Sequence, residues 1–228
     1  MEQKGHLGFD SVALARAFAI QRFEANEPGP TIEEWLSATY PLTPGETSLL
    51  RDLHAKAQVE GDYWNEEELK INLIGFLFYL SRIEEPKRIK VFYERKMAAR
   101  VGGYSLSVIS DCMVATPLFN APGQPYFFLQ EYKKSRGDKI DPEAQVLTAM
   151  LIAQAQNRDD KPIYGSYVLG TNLYFTVLQG QHYYHSRKYD LLRLDDLEQF
   201  VFSMRKLKEL ITKASTASPT APPASRAV

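Results

Sequence analysis

The sequence predicts an α/β protein, a mixed β-sheet flanked by helices and preceded by an N-terminal helical segment. Three observations predict it. Apolar residues recur at helical spacing up to about residue 81 and then at the two-residue spacing of strands. Gly102-Gly103 separates two strand-like runs, "RIKVFYERKMAARV" and "YSLSVISDCMVAT", which is a hairpin signal. Finally, the apolar run "PYFFLQEYK" is followed by a helix-start signal and then by another apolar run, "IYGSYVLG". A strand–helix–strand crossover implies at least one parallel pair within a mixed sheet.

The elements follow in order. "SVALARAFAIQRF" places Val12, Ala15, Phe18 and Ile20 near one another on a helix. "EPGPT" breaks it, Thr31 can cap "IEEWLSA", and "PGETSLLRDLHAKAQ" spaces Leu49, Leu53 and Ala57 by four. Asn65 caps a long helix with Glu66, Glu67 and Glu68 in its first turn, where the helix dipole favours acids. Leu69, Leu73, Phe76, Leu77 and Leu80 form one apolar stripe of that helix and Ile71, Ile74 and Phe78 another, so burial is expected on more than one side. "PYFFLQEYK" is expected at the sheet centre. Asp141 caps a crossover helix with Pro142 at its first position, running to about Asn157. "LYFTVLQG" and "QHYYHS" are further strands, and "LDDLEQFVFSMRKLKELIT" is a closing amphipathic helix. The expected organisation is a helical segment over 1–62, a main domain over 63–212 and a disordered Ala/Ser/Pro-rich tail over 213–228.

Composition narrows the function classes. The chain has 228 residues, 44% hydrophobic and 24% charged, with a net charge of -1, so any nucleic-acid contact must come from a local basic surface. One cysteine, Cys112, excludes an intrachain disulfide framework and a cysteine zinc site, and points to a small core residue in a reducing, cytoplasmic setting. No signal-peptide layout opens the sequence, and "INLIGFLFYL" is too short to span a membrane. His182 and His185 face opposite sides of a strand and are expected at the surface. Gly165 and Gly170 lack the lysine of a phosphate loop.

One constellation can carry chemistry. On "FFLQEYK" the pleat puts Phe127, Leu129, Glu131 and Lys133 on one face and Phe128, Gln130 and Tyr132 on the other. Asp111 lies inside another apolar strand, where a charge is otherwise expensive, with Ile109 and Met113 on its face. Two carboxylates ~4–6 Å apart could share a Mg²⁺ whose oxygen ligands lie near 2.1 Å. Simpler roles stand beside this one: Glu131 and Lys133 as an ion pair at a strand end, Asp111 as a cap, Glu66 to Glu68 as dipole-stabilising acids, Gln145 as a helix-start residue.

Asp111 followed by Glu131-Tyr132-Lys133 resembles the D…(D/E)-x-K signature of the PD-(D/E)XK nuclease superfamily, the restriction-endonuclease-like fold. The resemblance covers roughly residues 65–185 and implies a helix, a three-stranded meander, a crossover helix and a further strand. It implies Mg²⁺ or Mn²⁺ held by Asp111, Glu131 and the Tyr132 carbonyl, with Glu66 through water and Glu67 and Glu68 as alternatives. Lys133 would orient the attacking water, and Gln145 looks like the glutamine that many members carry after E-x-K. Lys134, Arg136 and Lys139 would hold the phosphate backbone, with Lys87, Arg88, Lys90, Arg95, Lys96 and Arg100 more distant. The sequence departs from the pattern at Ser110, which replaces a common proline, and at Ala149, which replaces a tyrosine of some members. The implied activity is phosphodiester hydrolysis in DNA, with RNA as the second candidate; a homodimer is a candidate assembly, and the alternative is a catalytically inactive protein- or nucleic-acid-binding module of the same fold.

Overall fold

The computed structural model describes residues 8–133 and 141–216, with side chains to 213. The elements are α1 (Ser11–Phe18), β1 (Gln21–Phe23), α2 (Pro30–Leu36), α3 (Pro44–Glu60), α4 (Glu66–Leu69), α5 (Gly75–Ser81), β2 (Lys90–Val101), β3 (Tyr104–Leu118), β4 (Ala121–Lys133), α6 (Pro142–Asn157), β5 (Ile163–Leu169), β6 (Asn172–Gln179), β7 (His182–His185), β8 (Tyr189–Asp190) and α7 (Leu194–Thr216). Among these, eight strands form one mixed sheet in the order β1-β7-β6-β5-β4-β3-β2, with β8 added to β6.

The meander β2–β3–β4 is antiparallel, α6 crosses over, and β5 returns parallel to β4. Gly102 and Gly103 both take positive φ in the first hairpin, which the short turn requires. One face of the sheet is covered by α6 and α1, through Leu14, Val146, Met150 and Ile152 against Met113 and Leu129. The other face is covered by α2, α3, α5 and α7, through Trp35, Leu53, Leu77, Phe200 and Met204 against Phe128, Val168 and Phe175. Trp35 is fully buried, donates its indole N–H to the Ser203 carbonyl at 2.7 Å and meets Phe128, Tyr164 and Phe175 edge-on. No helix among the described residues is long and apolar enough to cross a membrane.

Several local expectations are corrected. The first helix stops at Phe18, where Ala19 turns left-handed, and Gln21–Phe23 instead pairs in parallel with the exposed edge of β7, so tertiary pairing overrides the helical pattern. The helix after Asn65 is not continuous. A π-helical turn, Lys70–Ile74, joins α4 to α5 and shifts the helical phase of α5. Ile71 and Phe76, expected in buried stripes, are therefore exposed, while Lys70 is buried. In β4 a bulge at Phe127 breaks the pleat, because Phe128 pairs with Val114 while Tyr126 pairs with Ala115. Phe127 consequently packs with Phe128's layer rather than with Leu129's. His185 is buried, in hydrogen-bonding contact with the Tyr167 hydroxyl at 2.7 Å and the Ser186 carbonyl at 2.9 Å.

Candidate functional site

The site forms where β3 and β4 part. Their main-chain pairing extends to Cys112↔Gln130. One residue further along β3 and two along β4, the Tyr132 N–H donates instead to the Asp111 side chain, Oδ2 at 2.8 Å. Asp111 has thus become a side-chain substitute for a missing ladder partner, which explains how an acid is tolerated inside an apolar strand. The antiparallel register, continued one residue past Cys112↔Gln130, sets Glu131 opposite Asp111. Their carboxyls lie within hydrogen-bonding range, and Glu131 is only 1% exposed.

This pair is electrostatically unbalanced. Burial pushes the Glu131 carboxyl well above the ordinary carboxylate range, the Asp111 charge pushes it further, and Lys133 opposes both. Asp111 is also raised by burial, with the Tyr132 N–H, Lys133 and Lys70 pulling the other way. Oε1 of Glu131 is buried and has no hydrogen-bond partner. Two touching carboxyls, one carrying an orphaned oxygen, suit either a shared proton or a hard divalent cation, which prefers oxygen ligands and retains several waters. The donor set therefore fits Mg²⁺ or Mn²⁺. Among the described residues, no group of three or more His, Cys, Asp or Glu side chains is arranged to hold a metal, so no third acid is placed to share an ion with the pair.

Lys133 is 13% exposed and donates from Nζ to the Tyr132 carbonyl at 2.8 Å, with Glu66 Oε2 at 3.5 Å. The three acids at the start of α4 are separated by their partners. Glu68 reaches back to the Asn65 N–H and closes the capping box, Glu67 pairs with Lys70, and Glu66 alone reaches Lys133. The Tyr132 carbonyl faces the Lys133 amine, and its fully buried phenol donates to Gln130 Oε1 at 2.7 Å. Gln145 lies in the first turn of α6, and its Oε1 is buried without a partner. Lys134, Arg136 and Lys139 lie outside the described residues. The more distant cations sit on β2 and the loop before it. Arg88 pairs with Glu85, while Lys90 and Arg95 lie over the Phe92 ring.

Two charged residues join the site without having been singled out from the sequence. Lys70 is buried at the start of the π-helical turn, pairs with Glu67 and Glu94, and lies over the Tyr132 ring at 6.0 Å. Glu94 sits in β2 between residues paired with Cys112 and Ser110, hence opposite Asp111, with a left-handed φ of 51°. A glutamate in that conformation within a strand is uncommon and strained. A lysine inside the apolar stretch "LKINLIGFLF" was the available signal for the first; none existed for the second.

Beside Lys133 opens a cleft of about 540 Å³. Tyr132, Lys133 and Glu66 form its floor side. One wall is the connection from α3 to α4, with Tyr63 and Trp64, and the other is the β5–β6 turn, with Gly170, Thr171 and Asn172. The turn is tied to the end of β4 by the Gly170 N–H, which donates to the Lys133 carbonyl at 2.9 Å. Tyr63 is 85% exposed, and Trp64 is half-buried with its indole N–H directed to Glu60.

No model of a known protein family matches the sequence, and no curated protein matches it.

Proposed function

We propose that this chain is a metal-dependent nuclease of the PD-(D/E)XK superfamily, hydrolysing phosphodiester bonds in DNA, with RNA as the other substrate class. The observation that carries the reading is the contact between the Asp111 and Glu131 carboxyls at the parting of β3 and β4, with the Lys133 amine beside them. The order helix, three-stranded meander, crossover helix and parallel strand supports it as well.

In this reading Asp111 and Glu131 hold Mg²⁺ or Mn²⁺, and the orphaned Oε1 of Glu131 gains the partner it lacks. The ion, when bound, supplies Lewis acidity toward the phosphate. The remaining work belongs to the chain. Tyr132 N–H fixes the orientation of the Asp111 carboxylate. The Lys133 ammonium, steadied by the Tyr132 carbonyl and Glu66, orients the attacking water and balances negative charge developing on the phosphate oxygens. Because the amine is only 13% exposed, its charge is weakly screened and correspondingly effective.

A non-catalytic binding module is the second reading, favoured because no third metal-ligating side chain is arranged with the pair among the described residues. The two separate in one experiment. Single- and double-stranded DNA and RNA are incubated with the protein in Mg²⁺, Mn²⁺ or EDTA, alongside Asp111→Ala and Lys133→Ala. The nuclease reading expects metal-dependent cleavage, lowered about 100-fold or more in each variant. Cleavage unchanged in both variants would remove the site assignment, and no cleavage of any substrate would favour the binding module.

A further inference from the structure

We infer that the cleft between the α3–α4 connection and the β5–β6 turn receives the base of an unpaired nucleotide, stacked on Tyr63 and Trp64, next to the phosphate held at Lys133. This inference rests on the nuclease reading and gives it a substrate class: single-stranded nucleic acid, or a strand locally opened. Four observations carry it.

The first is position. Lys133 and Glu66 line the cleft, so it begins at the proposed catalytic lysine and is continuous with the site. The second is size. A volume of about 540 Å³ lies within the range of small-ligand pockets and suits one nucleotide. A duplex cannot enter a space of that size, and its bases keep their π-faces covered by their neighbours.

The third is the chemistry of the walls. Tyr63 exposes nearly its whole side chain at the mouth, although a large aromatic group so exposed gains nothing from the core. Trp64 is next to it, held partly against the core and oriented by its N–H contact with Glu60. Stacking on aromatic rings is the sequence-tolerant means by which proteins hold unpaired bases. Thr171 and Asn172 on the opposite wall offer polar groups to a base edge or a sugar. The fourth is rigidity. Both walls are anchored, one by the Asn65–Glu68 capping box directly after Trp64, the other by the Gly170–Lys133 main-chain hydrogen bond. A base seated there meets a preformed surface, which lowers the ordering cost of binding.

The two tryptophans make the test direct. Trp35 is fully buried and bonded to Ser203, whereas Trp64 lines the cleft. The intact protein is titrated in EDTA, so that no strand is cut, with an end-labelled oligothymidylate and with a hairpin duplex, following tryptophan emission and label anisotropy. Thymidylate is expected to quench part of the emission in the wild type and none in Trp64→Phe. Tyr63→Ala is expected to weaken single-strand binding roughly 5- to 150-fold, with duplex binding nearly unchanged. Circular dichroism of both variants checks that the fold is retained. Anisotropy showing binding without quenching, or equal weakening of both substrates in Tyr63→Ala, would overturn the inference while leaving the nuclease reading intact. If no oligonucleotide binds under these conditions and none is cleaved in Mg²⁺ or Mn²⁺, both fall together.

Discussion

Glu46 and Glu131 are both buried carboxylates, 8% and 1% exposed, and their surroundings are opposite. Glu46, at the start of α3, is saturated with donors. Thr43 N–H donates to Oε2 at 2.9 Å, and Arg82 and Arg205 each meet Oε1 at 2.8 Å. Burial alone would raise its pKa, but the Thr43 N–H and the two guanidinium groups together bring it below the ordinary value. Glu131 has the same burial problem with the opposite neighbour: a second carboxyl, an orphaned oxygen and one lysine that is shared with Glu66. A fold able to satisfy Glu46 so completely leaves Glu131 short of positive charge, and that shortage separates a structural acid from one suited to binding a cation.

The largest expected effect tests the satisfied member. Glu46→Gln removes the negative charge that Arg205 and Arg82 share and turns amide N–H donors toward guanidinium groups, while its amide oxygen can still accept from the Thr43 N–H. It should destabilise the protein by about 2–3 kcal/mol, discounted from the fully buried case because Arg82 is exposed. The midpoint of thermal unfolding should fall by roughly 4–12 °C. Urea unfolding showing a loss below about 1 kcal/mol would erase the contrast between the two acids. Next in size is the effect of metal on the unsatisfied member. Mg²⁺ at about one hundred times its Kd should stabilise the wild type by about 2.7 kcal/mol, a midpoint increase of roughly 5–10 °C. Glu131→Gln should melt no lower than the wild type in EDTA, since an amide N–H can donate to Asp111, and should gain little from Mg²⁺. Equal gains in both proteins would mean that the ion binds elsewhere.

Local chemistry was legible where it is decided by neighbouring residues. Asn65 and Asp141 cap as their side chains dictate, Gly102-Gly103 turns, and Asp111 and Glu131-Tyr132-Lys133 stand on adjacent strands because the hairpin and strand alternation place them there. What escaped the sequence depends on distant partners. Three residues, Gln21–Phe23, become a strand because β7 offers an edge. Lys70 tolerates burial because Glu67 and Glu94 meet it, and Glu94 does so from a left-handed backbone position in β2. His185 is buried because the Tyr167 hydroxyl and the Ser186 carbonyl satisfy its ring nitrogens. Of Glu66, Glu67 and Glu68, the one that reaches Lys133 is likewise picked out by tertiary contact rather than by position in the first turn.

The smallest expected effect is a difference in pH dependence, and it has opposite signs at the two acids. The native Glu46 carboxyl holds its proton less tightly than in the unfolded chain. Its stabilisation is present above the ordinary carboxylate pKa and is lost as pH falls through the native value. The native Glu131 carboxyl holds its proton more tightly. Metal-free protein is therefore favoured by acid at this position, and stability declines as pH rises from the ordinary carboxylate value toward the raised one. The slope for one such group is at most about 1.4 kcal/mol per pH unit. Unfolding of the wild type and Glu131→Gln in EDTA between pH 5 and 8 reads the Asp111–Glu131 pair, because the titrating groups away from the pair are common to both. The wild type should lose ground to the variant as pH rises. In Mg²⁺ the trend should reverse, since the ion binds ionised carboxylates and protons compete with it. Parallel pH profiles with and without Mg²⁺ would show that the Glu131 carboxyl neither retains a proton nor exchanges it for a cation, and would place it with Glu46 as a structural acid.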